Sequence, residues 1–282
     1  MLSLNQNINL NFNFFSLLIQ EEFLRNAFIA TILASILCGL IGPFVYVRKI
    51  GMIAGSVAHA VLGGMGIAYY FGAAPILGAL IAALIVAWII GWVTLHYKKY
   101  EDTITNALWS LGMAVGIIFI FKTPGYDVQL MSYLFGNILM ITRHDLYLMA
   151  GLGLFVAILI FTFYKELVAI SFDEEFSRLK GIKVNLFYYL LLSLVSITTV
   201  VLVQMVGLIL VITLFILPAA ISSYFFNRLS KIIFVAMFVG FTLMNVGLWM
   251  SYQLNWPSGA TIILSFTFVY LLIMLIKRIK LI

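Results

Sequence analysis

The run NAFIATILASILCGLIGPFVY, residues 26–46, holds twenty-one residues without one Asp, Glu, Lys or Arg. Wound as an α-helix it would be about 31 Å long, which matches the hydrocarbon thickness of a bilayer. Eight more apolar runs of similar length follow, at residues 52–71, 76–95, 104–121, 146–163, 185–202, 207–225, 232–250 and 260–276. Each run is continuous rather than alternating, so each satisfies its own backbone as a helix, and a barrel is excluded. The expected fold class is an all-α polytopic membrane protein with about eight or nine transmembrane helices. The chain is 64% hydrophobic and 9% charged, whereas soluble domains carry roughly a quarter charged residues.

Nine such helices with their connections and the N-terminal segment account for the 282 residues, so no soluble domain of useful size fits beside them. Residues 1–25 form an N-terminal segment without the basic flank of a secretory signal, and residues 12–23 read as an interfacial amphipathic stretch. Residues 26–282 form the transmembrane domain. The formal charge of +6 is scattered in short clusters between apolar runs. That pattern suits orientation in lipid and gives no nucleic-acid surface. If each run crosses once, Arg48, Lys49, Lys98, Lys99, Lys165, Arg178, Lys180, Lys183, Arg228, Lys231, Lys277, Arg278 and Lys280 share one side. Only Arg25, Lys122 and Arg143 fall on the other. The positive-inside bias makes the first side cytoplasmic, with the N-terminus outside and the C-terminus inside a cell membrane.

Two connections are longer than the rest. The outer one, residues 122–145, carries the turn pair Pro124-Gly125 and then an apolar stretch, 128–141, expected to dip back toward the bilayer. The inner one contains SFDEEFSRLKG, residues 171–181. Ser171 and Glu174 have capping-box spacing, acidic residues fill the first turn, basic ones the last, and Gly181 closes it, so a short helix over residues 171–182 is expected. Its apolar residues Phe172, Phe176, Leu179 and Ile182 recur at helical steps, which suits either a groove on a partner or the membrane surface.

An ionisable group inside lipid costs a few kcal/mol, so it marks a functional candidate. Between Lys49 and His96 the one charged or imidazole side chain is His59, in AGSVAHAVLGGMG, residues 54–66. Imidazole is a common transition-metal ligand and is largely neutral near pH 7. Gly55, Ser56, Gly63 and Gly66 share its helix face, so that face can approach another helix or border a cavity. The alternative is a packing histidine bonded to a neighbouring carbonyl. Asn106, Ser110, Gln204, Thr213 and Asn245 are further pathway candidates, although such residues also join helices. Pro218 is expected to kink its run. Glu21, Glu22, Asp127, His144 and Asp145 give the outer face cation-attracting groups, or simply solvated charge. Cys38, the single cysteine, sits in the first run and offers neither a disulfide nor a thiolate cluster. There is no G-x-x-x-x-G-K-[ST] loop and no H-E-x-x-H helix, so neither nucleotide hydrolysis nor zinc proteolysis is supported, and Ser56 with His59 on one helix makes a poor nucleophile and base.

Taken together and in order, CGLIG (38–42) followed by the basic pair, SVAHA (56–60) with its glycines, LFGNIL (134–139), FDEEF (172–176) with LKG (179–181), QMVG (204–207) through Leu217-Pro218, and PSG (257–259) resemble the permease subunit of ABC-type zinc, manganese and iron importers, the ABC-3 family. The likeness spans about residues 23–276. It implies a transport subunit that is not an enzyme and binds no permanent cofactor, its cargo being a divalent metal ion, with zinc or manganese foremost. It also implies an ATPase subunit, an extracytoplasmic metal-binding protein and a second permease, identical or closely similar. In such importers the short inner helix docks into the ATPase, which assigns coupling to Glu174, Phe176, Arg178, Leu179 and Gly181. His59 becomes the transient metal contact, with Ser56, Asn106, Gln204 and Asn245 lining the route. Many members carry Asp four residues before this His, where this chain has Gly55. The rival readings are a metal-chelate permease of the siderophore and cobalamin type and an ATP-independent cation carrier, the latter disfavoured because carboxylates are missing from the spans.

Overall fold

A computed structural model describes residues 20–123, 136 and 138–280. Among them the regular elements are all helical: α1 Glu22–Val47, α2 Gly51–Tyr70, α3 Pro75–His96, α4 Glu101–Phe121, α5 Arg143–Thr162, α6 Tyr164–Phe172, α7 Glu174–Leu179, α8 Val184–Val206, α9 Leu208–Ser223, α10 Leu229–Leu254 and α11 Ser258–Lys280, with single 3-10 turns at Lys98–Tyr100 and Ile138–Met140. Eight of these are long and apolar enough to cross a membrane, and α9, at sixteen residues, is shorter. At 1.5 Å per residue α9 reaches only about 24 Å. The seventh apolar run, residues 207–225, is therefore a helix, but not one of full spanning length.

Local chemistry explains the boundaries. Pro75 opens α3, where its missing N–H costs nothing. Thr142 caps α5 by accepting from the Asp145 N–H, and the Asp145 carboxylate accepts from the Thr142 N–H in return. Asn255, left-handed at φ 53°, ends α10. Helix α9 runs on through Pro218, the residue expected to kink it, and the break between α8 and α9 falls at Gly207, where that apolar run begins and whose φ of 77° separates the two helices.

The helices pack in two groups. In the first, α2 lies against α3 and α4 along its glycines. A Cβ on Gly64 would come 2.2 Å from the Gly78 carbonyl oxygen of α3, and one on Gly112 of α4 would come 2.8 Å from the Ala60 backbone. Such approaches need glycine on the facing surfaces. In the second, α1 packs on α9 and α10, with α11 behind them. There a Cβ on Gly42 would lie 2.5 Å from the Phe215 carbonyl oxygen and one on Gly39 2.8 Å from the Met237 nitrogen. Helix α8 lies between the groups, touching α2 and α3 on one side and α1 and α5 on the other.

An ion pair marks each end of α1. Glu22 pairs with Arg143 at the start of α5, and Arg48 pairs with Glu174 at the start of α7. At the Arg48 end, Lys98 and Arg178 border a common cavity with Arg48, and the Lys277 ammonium donates to the Tyr224 carbonyl. The basic connections expected on one side are thus brought to one end of the bundle. Of the long outer connection, Pro124, Gly125, Asp127, residues 128–135 and Asn137 lie outside the described residues. Its described end does turn inward: Gly136 sits against Val206 and Gly207, Ile138 is buried, and the Ile141 carbonyl accepts from Asn26 Nδ2 at 3.2 Å.

Candidate functional site

His59 sits in the third turn of α2, half-buried, with its Nδ1 buried and without a hydrogen-bond partner among the described residues. Its ring lies against the indole of Trp109 on α4, with centroids 4.2 Å apart and planes 25° from parallel. Ser56, one turn before it, is fully buried, and its Oγ also has no partner. Two unpartnered polar atoms on one face of a membrane helix are an expense that packing alone does not call for. Gly55 leaves room for the same indole: a Cβ there would stand 2.6 Å from Trp109 Cζ3 and 3.0 Å from Ile212 Cδ1 of α9. Trp109 was not among the candidates read from sequence, because a lone aromatic in an apolar run carries no period that sets it apart.

The arrangement offers one imidazole nitrogen and one hydroxyl oxygen, both neutral donors. Among the described residues no group of three or more His, Cys, Asp or Glu gathers to hold a metal. Two neutral donors are too few to hold a metal ion tightly. Along α4, Asn106 and Ser110 are exposed one turn apart, on the helix that carries Trp109. Polar side chains at that depth are costly against acyl chains and call for a second protein surface or a wet path.

The other candidates separate. Gln204 is half-buried on α8, three residues before the Gly207 break. Asn245 on α10 donates to Thr31 Oγ1 of α1 at 3.1 Å and to the Phe241 carbonyl at 2.8 Å, which joins two helices of the second group. The structure therefore brings Ser56 and His59 together with Trp109, and sets Asn245 in the packing of α1 on α10.

The inner helix is present with a different start. Ser171 is not its cap: α6 continues through Phe172 because Leu167 and Ile170 are buried, and Ser171 Oγ donates to the Leu167 carbonyl within α6. The chain then extends at Asp173, φ −150°, whose carboxylate accepts from the Phe176 N–H at 2.9 Å and opens the six-residue α7. Gly181, at φ 78°, closes it as expected, with its N–H donating to the Arg178 carbonyl. Phe172, Phe176 and Leu179 are exposed, Leu179 by 87%. Lys180 lies 4.6 Å over the Phe176 ring, and Arg178 donates to Asn185 Oδ1. The result is an apolar knob with a basic rim at the end of the bundle.

Comparison with known proteins places this architecture. The model of the ABC 3 transport family matches residues 20–277. An uncharacterized membrane protein of Synechocystis is 42% identical over 260 residues, 92% of each chain. The manganese transport system membrane protein MntC of Halalkalibacterium halodurans is 36% identical over 256 residues, covering 91% of this chain and 87% of that one. Among solved structures, PsaBC from Streptococcus pneumoniae in complex with a Fab superimposes with a TM-score of 0.84 at 32% identity, covering 92% of this chain and 93% of its own. A bundle of this topology, matched along nearly its whole length in sequence and in space, belongs to the ABC 3 transport family.

Proposed function

We propose that this chain is the membrane-spanning permease of an ATP-driven importer for a divalent transition metal, with manganese the foremost cargo. The observation that carries the reading is the unpartnered Nδ1 of His59, held inside the membrane beside the unpartnered Ser56 hydroxyl. The names of the relatives supply the cargo class: MntC proteins of Halalkalibacterium and Listeria are called manganese transport system membrane proteins, and ScaB of Streptococcus gordonii a manganese import system permease. Imidazole suits zinc and iron and oxygen donors suit manganese, so Ser56 and His59 fit the transition-metal class, and the choice of manganese within it rests on the relatives' names. The exposed Asn106 and Ser110 of α4 are covered in this reading by a second permease, so the route runs between two copies beside α2 and α4. The α7 knob docks into an ATPase subunit, and an extracytoplasmic metal-binding protein delivers the ion at the opposite end. The basic end of the bundle then faces the cytoplasm, with the C-terminus.

The test is ATP-dependent uptake of radiolabelled manganese, zinc and iron into vesicles holding the permease, its ATPase and its binding protein. His59→Ala is expected to lower uptake of the cargo roughly tenfold or more while the complex still assembles, since the loss of even a supporting group at a metal site costs about 10–100-fold. Normal uptake by His59→Ala reduces His59 to a packing residue. Entry of a chelate but no free ion replaces the cargo assignment.

A further inference from the structure

Arg48 stands just beyond the last residue of α1, and its side chain is only 10% exposed although it carries a full charge at the end of the bundle. One guanidinium nitrogen donates to the Ile170 carbonyl near the end of α6, and the other pairs with Glu174, the first residue of α7. Its carbon lies 4.7 Å from the centre of the Tyr188 ring on α8, and Tyr188 is itself buried. Three elements thus meet on one planar group, using its two edges and its face. That is a set of contacts an ammonium cannot make at once. No other ion pair among the described residues joins α7 to the membrane helices; the second one present ties Glu22 to Arg143 at the opposite end.

What lies behind Arg48 gives this contact a direction. Helix α1 meets the Phe215 backbone of α9 at Gly42 and the Met237 backbone and side chain of α10 at Gly39, approaches close enough that the three are taken to move as one body. That body meets the α2–α4 group where Ile216 and Ile212 of α9 reach Gly51 and Gly55 of α2, two turns and one turn from His59. The contact there is made by flexible aliphatic side chains against glycine, which permits relative shift. A displacement of α7, pulled through Arg48, therefore arrives next to the metal contact.

We propose that Arg48 is the positioning residue through which movement of α7 is handed to the α1–α9–α10 body and to α8, so that without it ATP is hydrolysed but metal is not moved. The proposal rests on the reading of α7 as the ATPase-docking helix. It is tested in the reconstituted complex by measuring metal imported per ATP hydrolysed for wild type, Arg48→Met, Arg48→Lys and Glu174→Gln, with Leu179→Cys crosslinking to the ATPase scored in each background. Arg48→Met is expected to keep the crosslink and an ATPase rate within about twofold, while the metal-to-ATP ratio falls roughly tenfold, the scale of a typical coupling free energy. Arg48→Lys and Glu174→Gln each retain part of the cluster and are expected to recover an intermediate ratio. An unchanged ratio in Arg48→Met, or hydrolysis and uptake falling in equal proportion, overturns the proposal. Absence of the Leu179→Cys crosslink with Arg48 intact overturns the docking reading itself, a result that the Arg48 ratio does not mimic.

Discussion

At the scale of single residues, the informative position is Gly55, because its absent side chain is what allows Trp109 to lie over His59. A methyl group at Gly55 meets the far edge of an indole and the tip of Ile212, both of which have some freedom to shift. A methyl at Gly112 meets the Ala60 backbone, which has none. Gly55→Ala is therefore expected to cost about 1–2 kcal/mol, and Gly112→Ala about 3 kcal/mol or more, as overpacking against fixed backbone does. Thermal unfolding of the purified permease in detergent checks the order. Trp109→Leu in the Gly55→Ala background is expected to recover most of the first loss and, placed with Gly112→Ala, none of the second. Equal melting temperatures for the two alanine variants would contradict the glycine contacts. His59 was legible from sequence because ionisable groups in lipid are expensive and it stood alone between Lys49 and His96. Trp109 was not, since its role depends on which face of α4 meets α2, and the scattered polar residues of that helix do not mark out one face by period.

At the scale of elements, α7 is a helix too short to stand on propensity, so its ends decide whether it exists. Asp173→Ala removes the acceptor of the Phe176 N–H and is expected to destabilise the element by about 1 kcal/mol. Gly181→Val forces a branched residue to φ 78° and is expected to cost a further 1–2 kcal/mol or so. Amide exchange over residues 174–180 should accelerate in both, and faster exchange in Ser171→Ala than in Asp173→Ala would reverse the assignment of the cap. The sequence pattern located this helix and its glycine stop, yet it chose Ser171 as the cap over Asp173. Both residues offer an oxygen at the right spacing. The choice was made by burial of Leu167 and Ile170, which extends α6 and turns the Ser171 hydroxyl back onto it. At the junction of α8 and α9 the apolar runs 185–202 and 207–225 gave the place but not the cause, which is that Gly136 crosses the backbone at Gly207 so closely that a Cβ on it would stand 2.1 Å from Val206. Long-range approach of that kind leaves no mark in local propensity.

At the scale of the whole molecule, hydropathy alone delivered the class and the number of spans within one, because apolar length is the strongest constraint a bilayer imposes. The charge bias then sorted the connections onto two sides, and the ion pairs at the two ends of α1 agree with that sorting by placing Arg143 with Glu22 and Arg48 with Glu174. Which side faces the cytoplasm is a separate question, and the chain is well suited to answering it. Its single cysteine, Cys38, is 1% exposed, so an introduced thiol is read against a silent background. Leu179→Cys on α7 and Lys122→Cys just past α4 lie at opposite ends of the bundle, both exposed. If the basic end is cytoplasmic, a membrane-impermeant maleimide added to intact cells labels Lys122→Cys and leaves Leu179→Cys untouched until the membrane is opened. In inverted vesicles the order reverses. Labelling of Leu179→Cys in intact cells would place α7 outside, and with it would go the docking of an ATPase, the delivery of metal to the Glu22 end, and the direction of transport, since all three depend on this one orientation.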